Sequence, residues 1–329
     1  MTDTFKAIVC REIAEEIGTV QLEDLPRRAL KPGEVRISMR AASVNFPDIL
    51  MIQGKYQHKP PLPFTPGMEG AGKVIEVSDG VTSVQVGDRV VGGLRTGGFA
   101  TEAVADARAL RPIPEGMDYN AAAAFPAAYL TAYVALVRRG TLQAGETLLV
   151  HGAAGGVGLA AVDLGLHMGA KVIATASSDE KRNFLSLRGA HLVLPSSGFR
   201  EAVKEFTCGK GADVIYDPVG GDVFDESARC IAFDGRLLII GFTSGRIPNI
   251  SVNMPLIKGY SVVGVRAGEY GRQFPERGAE NLAAIDRLAA EGAIRPYVCA
   301  TFPLEQAVEA MRMLQDRKVI GKVVVSMQS

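Results

Sequence analysis

The feature that most restricts the fold of this chain is the turn His151-Gly152-Ala153-Ala154-Gly155-Gly156-Val157-Gly158. It is set between an apolar run, Thr147 to Val150, and a helix-patterned stretch from Gly156 to Met168. Strand, glycine-rich turn and helix in that order form the fingerprint of a dinucleotide-binding βα unit. In register with G-x-G-x-x-G the key places are Ala153, Gly155 and Gly158: a small residue for the turn, a glycine for pyrophosphate approach and a glycine for helix packing. Ala153 is a mild departure. A helix N-terminus presents unpaired N–H groups and a partial positive charge, so Ala154, Gly155, Gly156 and Val157 are the expected backbone holders of a pyrophosphate. The plainer alternative is a tight turn without a ligand, and the elements that follow weigh against it. His151 reads as a strand-end packing residue rather than a catalytic base.

From this point strands and helices alternate. Strands are expected at Thr147–Val150, Lys171–Thr175, His191–Leu194, Asp213–Tyr216, Arg236–Ile240 and Ser261–Val265. Helices are expected at 156–168, Asp179–Arg188, Phe199–Phe206 and Val223–Ile231. Each parallel pair needs a crossover, so the pattern calls for a doubly wound six-stranded parallel sheet over residues 125–265. Before it, Tyr129 to Arg139 predicts a helix with two cations in its last turn and Gly140 as its cap. Residues 1–124 carry short alternating runs between turn residues, the mark of a mainly β domain. Residues 266–329, with helices at Glu280–Ala290 and Leu304–Gln315 and a strand at Lys322–Val325, are expected to return to that first domain.

Composition narrows the function. With 329 residues, 47% hydrophobic and 22% charged, the chain has material for two buried cores. Thirty-six Lys and Arg balance 36 Asp and Glu, so no net field draws nucleic acid or anionic lipid. The uncharged stretch Ala121–Val137 is rich in Ala, contains Pro126 and falls short of a membrane span. Met1 to Glu16 shows early charges without an export-signal core, which leaves the cytoplasm as the expected compartment. Cys10, Cys208, Cys230 and Cys299 lie far apart without ligand spacing and read as ordinary thiols in a reducing compartment.

The second strand sets cofactor choice. About 20 residues past the glycines an acid accepts the ribose hydroxyls of NADH; here 177 − 158 = 19 and the residue is Ser177. Ser177 and Ser178 can donate to a 2′-phosphate and Lys181 or Arg182 can neutralise it, favouring NADPH. The alternative is that Lys181 and Arg182 are solvated helix charges beside Asp179 and Glu180. Gly241-Phe242-Thr243 follows the fifth strand and Val265-Arg266 ends the sixth, at the edge where doubly wound sheets bind ligands.

The β domain, the Ala-Ala-Gly-Gly-Val-Gly fingerprint and the C-terminal return together resemble the medium-chain dehydrogenase/reductase superfamily. Within it, Ser43-Val44-Asn45-Phe46-Pro47-Asp48, Pro66-Gly67-Met68-Glu69-Gly70-Ala71-Gly72 and Val86-Gly87-Asp88-Arg89-Val90 resemble the zinc-free quinone oxidoreductase branch, which includes zeta-crystallin. The resemblance implies an α/β protein with a GroES-like mainly β catalytic domain, 1–124 and 266–329, and a Rossmann NADPH-binding domain, 125–265. It also implies a homodimer through the exposed edge of the cofactor sheet. The superfamily's alcohol dehydrogenases place zinc ligands where Asn45 and Met68 fall, so no metal is expected.

Without a metal, the acceptor must take up charge itself, as a quinone or another conjugated carbonyl does. The resemblance places Asn45 near the reacting carbonyl, with Asp48 in the same substrate loop, although a turn residue satisfying its own backbone is the plainer reading of Asn45. Tyr56 falls where the branch often has a substrate-facing tyrosine and is the candidate proton donor; a phenol stays protonated at neutral pH. Its alternative is an aromatic that only shapes the pocket. Thr131 matches a nicotinamide contact in relatives, and Lys322 a C-terminal cofactor contact. Ser196 falls where some branch members hold the 2′-phosphate with a tyrosine. The expected function is NADPH-dependent, zinc-independent reduction of quinones or related conjugated carbonyls. An enoyl thioester reductase and an NADPH-binding protein with little turnover are the alternatives.

Overall fold

The computed structural model describes residues 3–294 and 296–328. It divides into two compact units, Met1–Ala127 with Pro296–Ser329, and Ala128–Arg295.

The first unit begins with strands β1 (Thr4–Val9), β2 (Gln21–Pro26) and β3 (Glu34–Ser43), then helix α1 (Phe46–Ile52). Strands β4 (Glu69–Val77), β5 (Arg89–Gly93), β6 (Glu102–Asp106) and β7 (Leu110–Pro112) follow, then helix α2 (Tyr119–Ala124). Along β3, Val35, Ile37 and Met39 alternate inward and join Ile49, Met51 and Ile52 of α1 in one apolar core. Asp118 caps α2 by accepting from Ala121 N at 2.8 Å, and the buried Ala122, Ala123 and Ala124 give that helix a flat face against the sheet.

Helix α3 (Pro126–Tyr133) begins at the end of the first unit, continues as the start of the second and runs into a π-helical turn over Val134–Arg139. The doubly wound part follows: β8 (Thr147–Val150), α4 (Gly156–His167), β9 (Lys171–Ala176), α5 (Asp179–Leu187), β10 (Leu192–Pro195) and α6 (Arg200–Phe206). It continues with β11 (Ala212–Asp217), α7 (Gly221–Ser227), β12 (Ile231–Ile239), α8 (Asn253–Lys258), β13 (Ser261–Gly264), α9 (Ala267–Gln273) and α10 (Pro275–Ala290). The six strands pair in parallel in the order β10-β9-β8-β11-β12-β13. That is the doubly wound order, and it sets the carboxyl ends of all six strands along one edge. Residues Thr147 to Val150 are buried throughout, as a strand covered on both faces requires.

The chain then returns to the first unit with β14 (Val298–Pro303), α11 (Ala307–Gln315) and β15 (Lys322–Ser326). Strand β15 pairs antiparallel with β3 and completes a seven-stranded sheet. Among the described residues no helix is long and apolar enough to cross a membrane.

Three local expectations change. The helix expected over Val223–Ile231 ends at Ser227, and Ile231 already pairs with Ala212. The register then jumps to Val214↔Arg236, so the strand bulges around Asp234, whose φ is 62°. The helix expected over Tyr129–Arg139 starts at Pro126 and ends in a π-helical turn, with Gly140 as its expected C-cap at a φ of −88°. A glycine is needed there for space, because a Cβ would sit 2.9 Å from Ala135 O and 3.0 Å from Leu238 Cδ1. Residues 266–294, expected with the β domain, pack within the second unit instead. Arg138 donates to Asn281 Oδ1 at 2.8 Å and to Glu280 Oε2 at 2.7 Å, and Ile285 of the same helix is fully buried.

Candidate active site

In the first unit the expected residues Asn45, Asp48 and Lys322 meet. Asn45 precedes α1 in extended conformation, and Asp48, at the third helical position, reaches back to accept from Asn45 N at 2.8 Å. The other Asp48 oxygen accepts from Gly67 N at 3.0 Å. Asp48 is fully buried, and this desolvation outweighs the two N–H bonds and the attraction of Lys322, pushing its carboxyl up to about 7.

Beside it lies a group the sequence reading did not assemble, centred on Glu69 of β4, which is 1% exposed. Glu69 Oε1 accepts from Ser43 Oγ at 2.5 Å, Asn45 Nδ2 at 2.9 Å and Lys322 Nζ at 3.3 Å; Oε2 accepts from Ala127 N at 2.7 Å. Lys322 Nζ also donates to Asn45 Oδ1 at 2.7 Å and to Val44 O at 3.3 Å. An ammonium only donates and a carboxylate only accepts, so these partners fix the amide with its oxygen toward Lys322 and its nitrogen toward Glu69. A buried ion pair persists only when its remaining hydrogen-bonding capacity is met, and here it is. Glu69 stood within a quoted motif, but 253 residues separate it from Lys322, and no local spacing signals their pairing. Among the described residues no group of three or more His, Cys, Asp and Glu side chains is placed to hold a metal ion. Tyr56 follows α1, half-buried, with its ring against the apolar core of this unit.

In the second unit the glycine turn has the geometry the fingerprint demands. Gly152 has a φ of 54°, which only glycine adopts without strain. A Cβ on Gly158 would lie 2.3 Å from Gly152 O and 2.8 Å from Ala153 Cα, so helix and turn touch backbone to backbone. At Gly155 a Cβ would meet only Gly152 O, at 3.4 Å, which leaves its outer side open. Gly155 is also the N-cap of α4 and offers no side-chain cap, so the first N–H groups of this 12-residue helix stay available to an anion. The pyrophosphate of a nicotinamide dinucleotide fits this cradle.

His151 lies beneath the turn, fully buried. Ser227 Oγ donates to Val223 O at 2.6 Å, so it accepts from His151 Nε2 at 2.8 Å; Nδ1 in turn accepts from Thr175 Oγ1 at 2.9 Å. Burial pushes the imidazole down to about 3, so it is a neutral packing group.

The other expected cofactor contacts lie at the strand ends of that edge, in the manner the topology dictates. Ser177 is exposed; Ser178 caps α5, its Oγ accepting from Lys181 N at 3.3 Å. Arg182 donates to Ala176 O at 3.1 Å and to Asp179 Oδ1 at 2.5 Å, which holds its guanidinium beside both serines. Ser196 follows β10 and is half-buried. After β12, Gly241, Phe242 and Thr243 turn toward the β11 loop, with Thr243 N and Oγ1 both donating to Pro218 O at 3.1 Å. Val265 and Arg266 follow β13, Arg266 exposed, and Thr131 sits half-buried on α3. Asp217, which the sequence reading passed over, organises the β11 loop: its Oδ1 accepts from Val219 N at 2.8 Å and Gly220 N at 2.9 Å. A Cβ on Gly152 would meet Val219 and Pro218 at 3.4 and 3.5 Å, so that loop backs the glycine turn. A surface hollow of 450 Å³ between Arg200, Glu226 and Arg229 contains none of these residues.

Comparisons with known proteins agree with this division. Residues 31–115 match the alcohol dehydrogenase GroES-like domain and residues 156–284 the zinc-binding dehydrogenase domain. The chain is 38% identical over 327 residues to quinone oxidoreductase-like protein 2 of Mus musculus, covering 98% of this chain and 93% of that one. It is 37% identical over 311 residues to the pikromycin polyketide synthase component PikAII of Streptomyces venezuelae, covering 93% of this chain and 8% of that protein. The structure of mycobacterial Rv1454c complexed with NADPH superposes with a TM-score of 0.91 at 32% identity, covering 98% of this chain and 99% of that one.

Proposed function

From the premise that this chain belongs to the zinc-free quinone oxidoreductase branch of the medium-chain dehydrogenase/reductase superfamily, we propose that it reduces quinones and related conjugated carbonyls with NADPH, without a metal. The observation that carries this reading is the open, side-chain-free cradle at Gly155, joined to a second strand that ends in serines rather than an acid. When bound, NADPH supplies the hydride; with a proton it turns a quinone into a hydroquinone.

The residues of the chain bind and orient. The N–H groups of Ala154, Gly156 and Val157 hold the pyrophosphate, and Gly155, whose own N–H donates to Gly152 O at 2.9 Å, lets it approach the backbone. Ser177, Ser178, Lys181, Arg182 and Ser196 take the 2′-phosphate. Ser178 keeps its hydroxyl hydrogen for that task, because its oxygen accepts from Lys181 N. Gly241, Phe242, Thr243, Thr131, Val265 and Arg266 are the contacts proposed toward the rest of the cofactor; Lys322, expected among them, is buried with its three ammonium hydrogens on Asn45, Val44 and Glu69. Tyr56 delivers the proton to acceptors that cannot carry the developing charge alone.

The decisive experiment is an acceptor screen with NADPH and NADH in parallel, with and without a chelator. Turnover of benzoquinones with NADPH, untouched by chelation, is expected; a zinc requirement overturns the reading. The likeness to a polyketide synthase component supports a second reading, reduction of enoyl thioesters. Crotonyl thioester turnover that vanishes in Tyr56→Phe, with no quinone turnover in the parent, favours that alternative. NADPH binding without oxidation across the screen favours a binding protein.

We further propose a homodimer through the β13 edge. Nearby Val252, Leu256 and Ile257 are 84, 81 and 72% exposed, an apolar display that a partner copy would cover. Light scattering of the parent and of Leu256→Glu/Ile257→Glu tests it: a dimer that becomes a monomer is expected, and a monomeric parent refutes it.

A further inference from the structure

We propose that Asn45 positions rather than polarises: Glu69 and Lys322 clamp its amide, and the three together fasten the start of α1 to β15. This inference rests on the reading of the site as a reductase of self-activating acceptors, and it removes Asn45 as the donor to the acceptor oxygen.

One Asn45 amide hydrogen goes to Glu69 Oε1 at 2.9 Å, and the other faces Ser43 O and Oγ, both at 3.3 Å. The hydroxyl hydrogen of Ser43 goes to Glu69 Oε1 at 2.5 Å. The three ammonium hydrogens of Lys322 meet Asn45 Oδ1 at 2.7 Å, Val44 O at 3.3 Å and Glu69 Oε1 at 3.3 Å. No donor in the group is left over for an incoming carbonyl oxygen. Freeing one would take a hydrogen bond from a buried acceptor of Ser43, Glu69 or Val44, which a low-dielectric site penalises.

The same bonds explain what the group accomplishes. Asn45 stands at the first turn of α1, Glu69 at the start of β4 and Lys322 at the start of β15. Charge-assisted bonds between them set where the substrate loop begins, and displacement of such a loop by about 1 Å is enough to cost on the order of 100-fold in rate.

The test reads the dependence on acceptor strength. In Asn45→Ala the clamp predicts the same loss of kcat/KM, on the order of 10- to 100-fold, for every member of a substituted benzoquinone series. A plot of log kcat/KM against acceptor reduction potential then keeps its slope. A donor role predicts a steeper slope, because weak acceptors rely most on the hydrogen bond, and that result overturns the proposal. The paired variant Glu69→Gln/Lys322→Met removes both charges together and keeps Asn45. The clamp predicts a loss matching Asn45→Ala, while retained activity overturns it. Hydrogen exchange over residues 44–52 needs no acceptor: both variants should exchange faster than the parent, and unchanged protection overturns the clamp. If the parent reduces no quinone, the functional reading fails while the exchange experiment still decides the clamp.

Discussion

Around Asn45 the polar groups are side chains, and the ion pair among them, Glu69 and Lys322, is drawn from distant parts of the chain to join the neighbouring Ser43 and Asp48. At the glycine turn they are neutral and mostly backbone, with His151 between two hydroxyls underneath. The two regions depend on different physics. The first rests on a buried ion pair that is stable only while complete; the second rests on close backbone approach that any added atom disturbs. Losing one partner should therefore damage the first region most, and adding one methyl should damage the second most.

The largest expected effect is at the ion pair. Lys322→Met leaves Glu69 buried without its cation and should destabilise the protein by about 3–5 kcal/mol, read as a lower first unfolding transition. Neutralising both partners should recover most of that loss; if the single change is as mild as the double, the pair contributes little. Next comes Gly158→Ala, whose methyl would meet backbone 2.3 Å away and should cost about 3 kcal/mol. Gly155→Ala, with its nearest neighbour at 3.4 Å, should change stability by under about 0.5 kcal/mol while weakening NADPH binding on the order of tenfold. Calorimetry with titrated NADPH separates the two, and equal effects at both glycines would erase the distinction.

The pH response sharpens the contrast. His151, held down to about 3 in the fold from its ordinary 6.5, stabilises above pH 6.5 and loses that contribution as pH falls toward 3, by about 1.4 kcal/mol per pH unit. Asp48, pushed up to about 7 from 3.8, acts in the opposite sense: its contribution is complete below pH 3.8 and is lost as pH rises through about 7. Stability profiles of His151→Gln and Asp48→Asn against the parent should therefore tilt in opposite directions, and parallel tilts would refute one of the two burial arguments. The smallest effect is expected at Arg182→Ala, which should raise the KM for NADPH roughly 3- to 10-fold and leave that for NADH unmoved. Equal shifts for both cofactors would remove Arg182 from 2′-phosphate recognition.

The same contrast explains what the sequence disclosed. The glycine turn is contiguous, and each of its residues has a local steric duty, so order and spacing suffice to read it. The doubly wound strands were legible because they alternate with helices of the right length. The Glu69 group was not, because a buried pair formed across 253 residues leaves no periodic trace. Gly140 was legible as the cap of the helix before it, but its second duty, making room for Ala135 O and Leu238, depends on a strand far along the chain. The resemblance placed Asn45 and Asp48 in one substrate loop, and the bond from the Asn45 backbone to Asp48 makes that loop the capped start of a short helix. Residues 266–294 were assigned by adjacency in sequence, and Arg138 and Ile285 tie them elsewhere.

Strand β15 carries a consequence for biosynthesis. Ribosomes deliver Lys322 only after 253 further residues have followed Glu69, an interval on the order of ten to fifty seconds. Until that cation emerges, the nascent first unit holds a carboxylate that its own interior cannot tolerate. Closing that unit before β15 arrives would bury Glu69 without its cation, at a cost of about 3–5 kcal/mol.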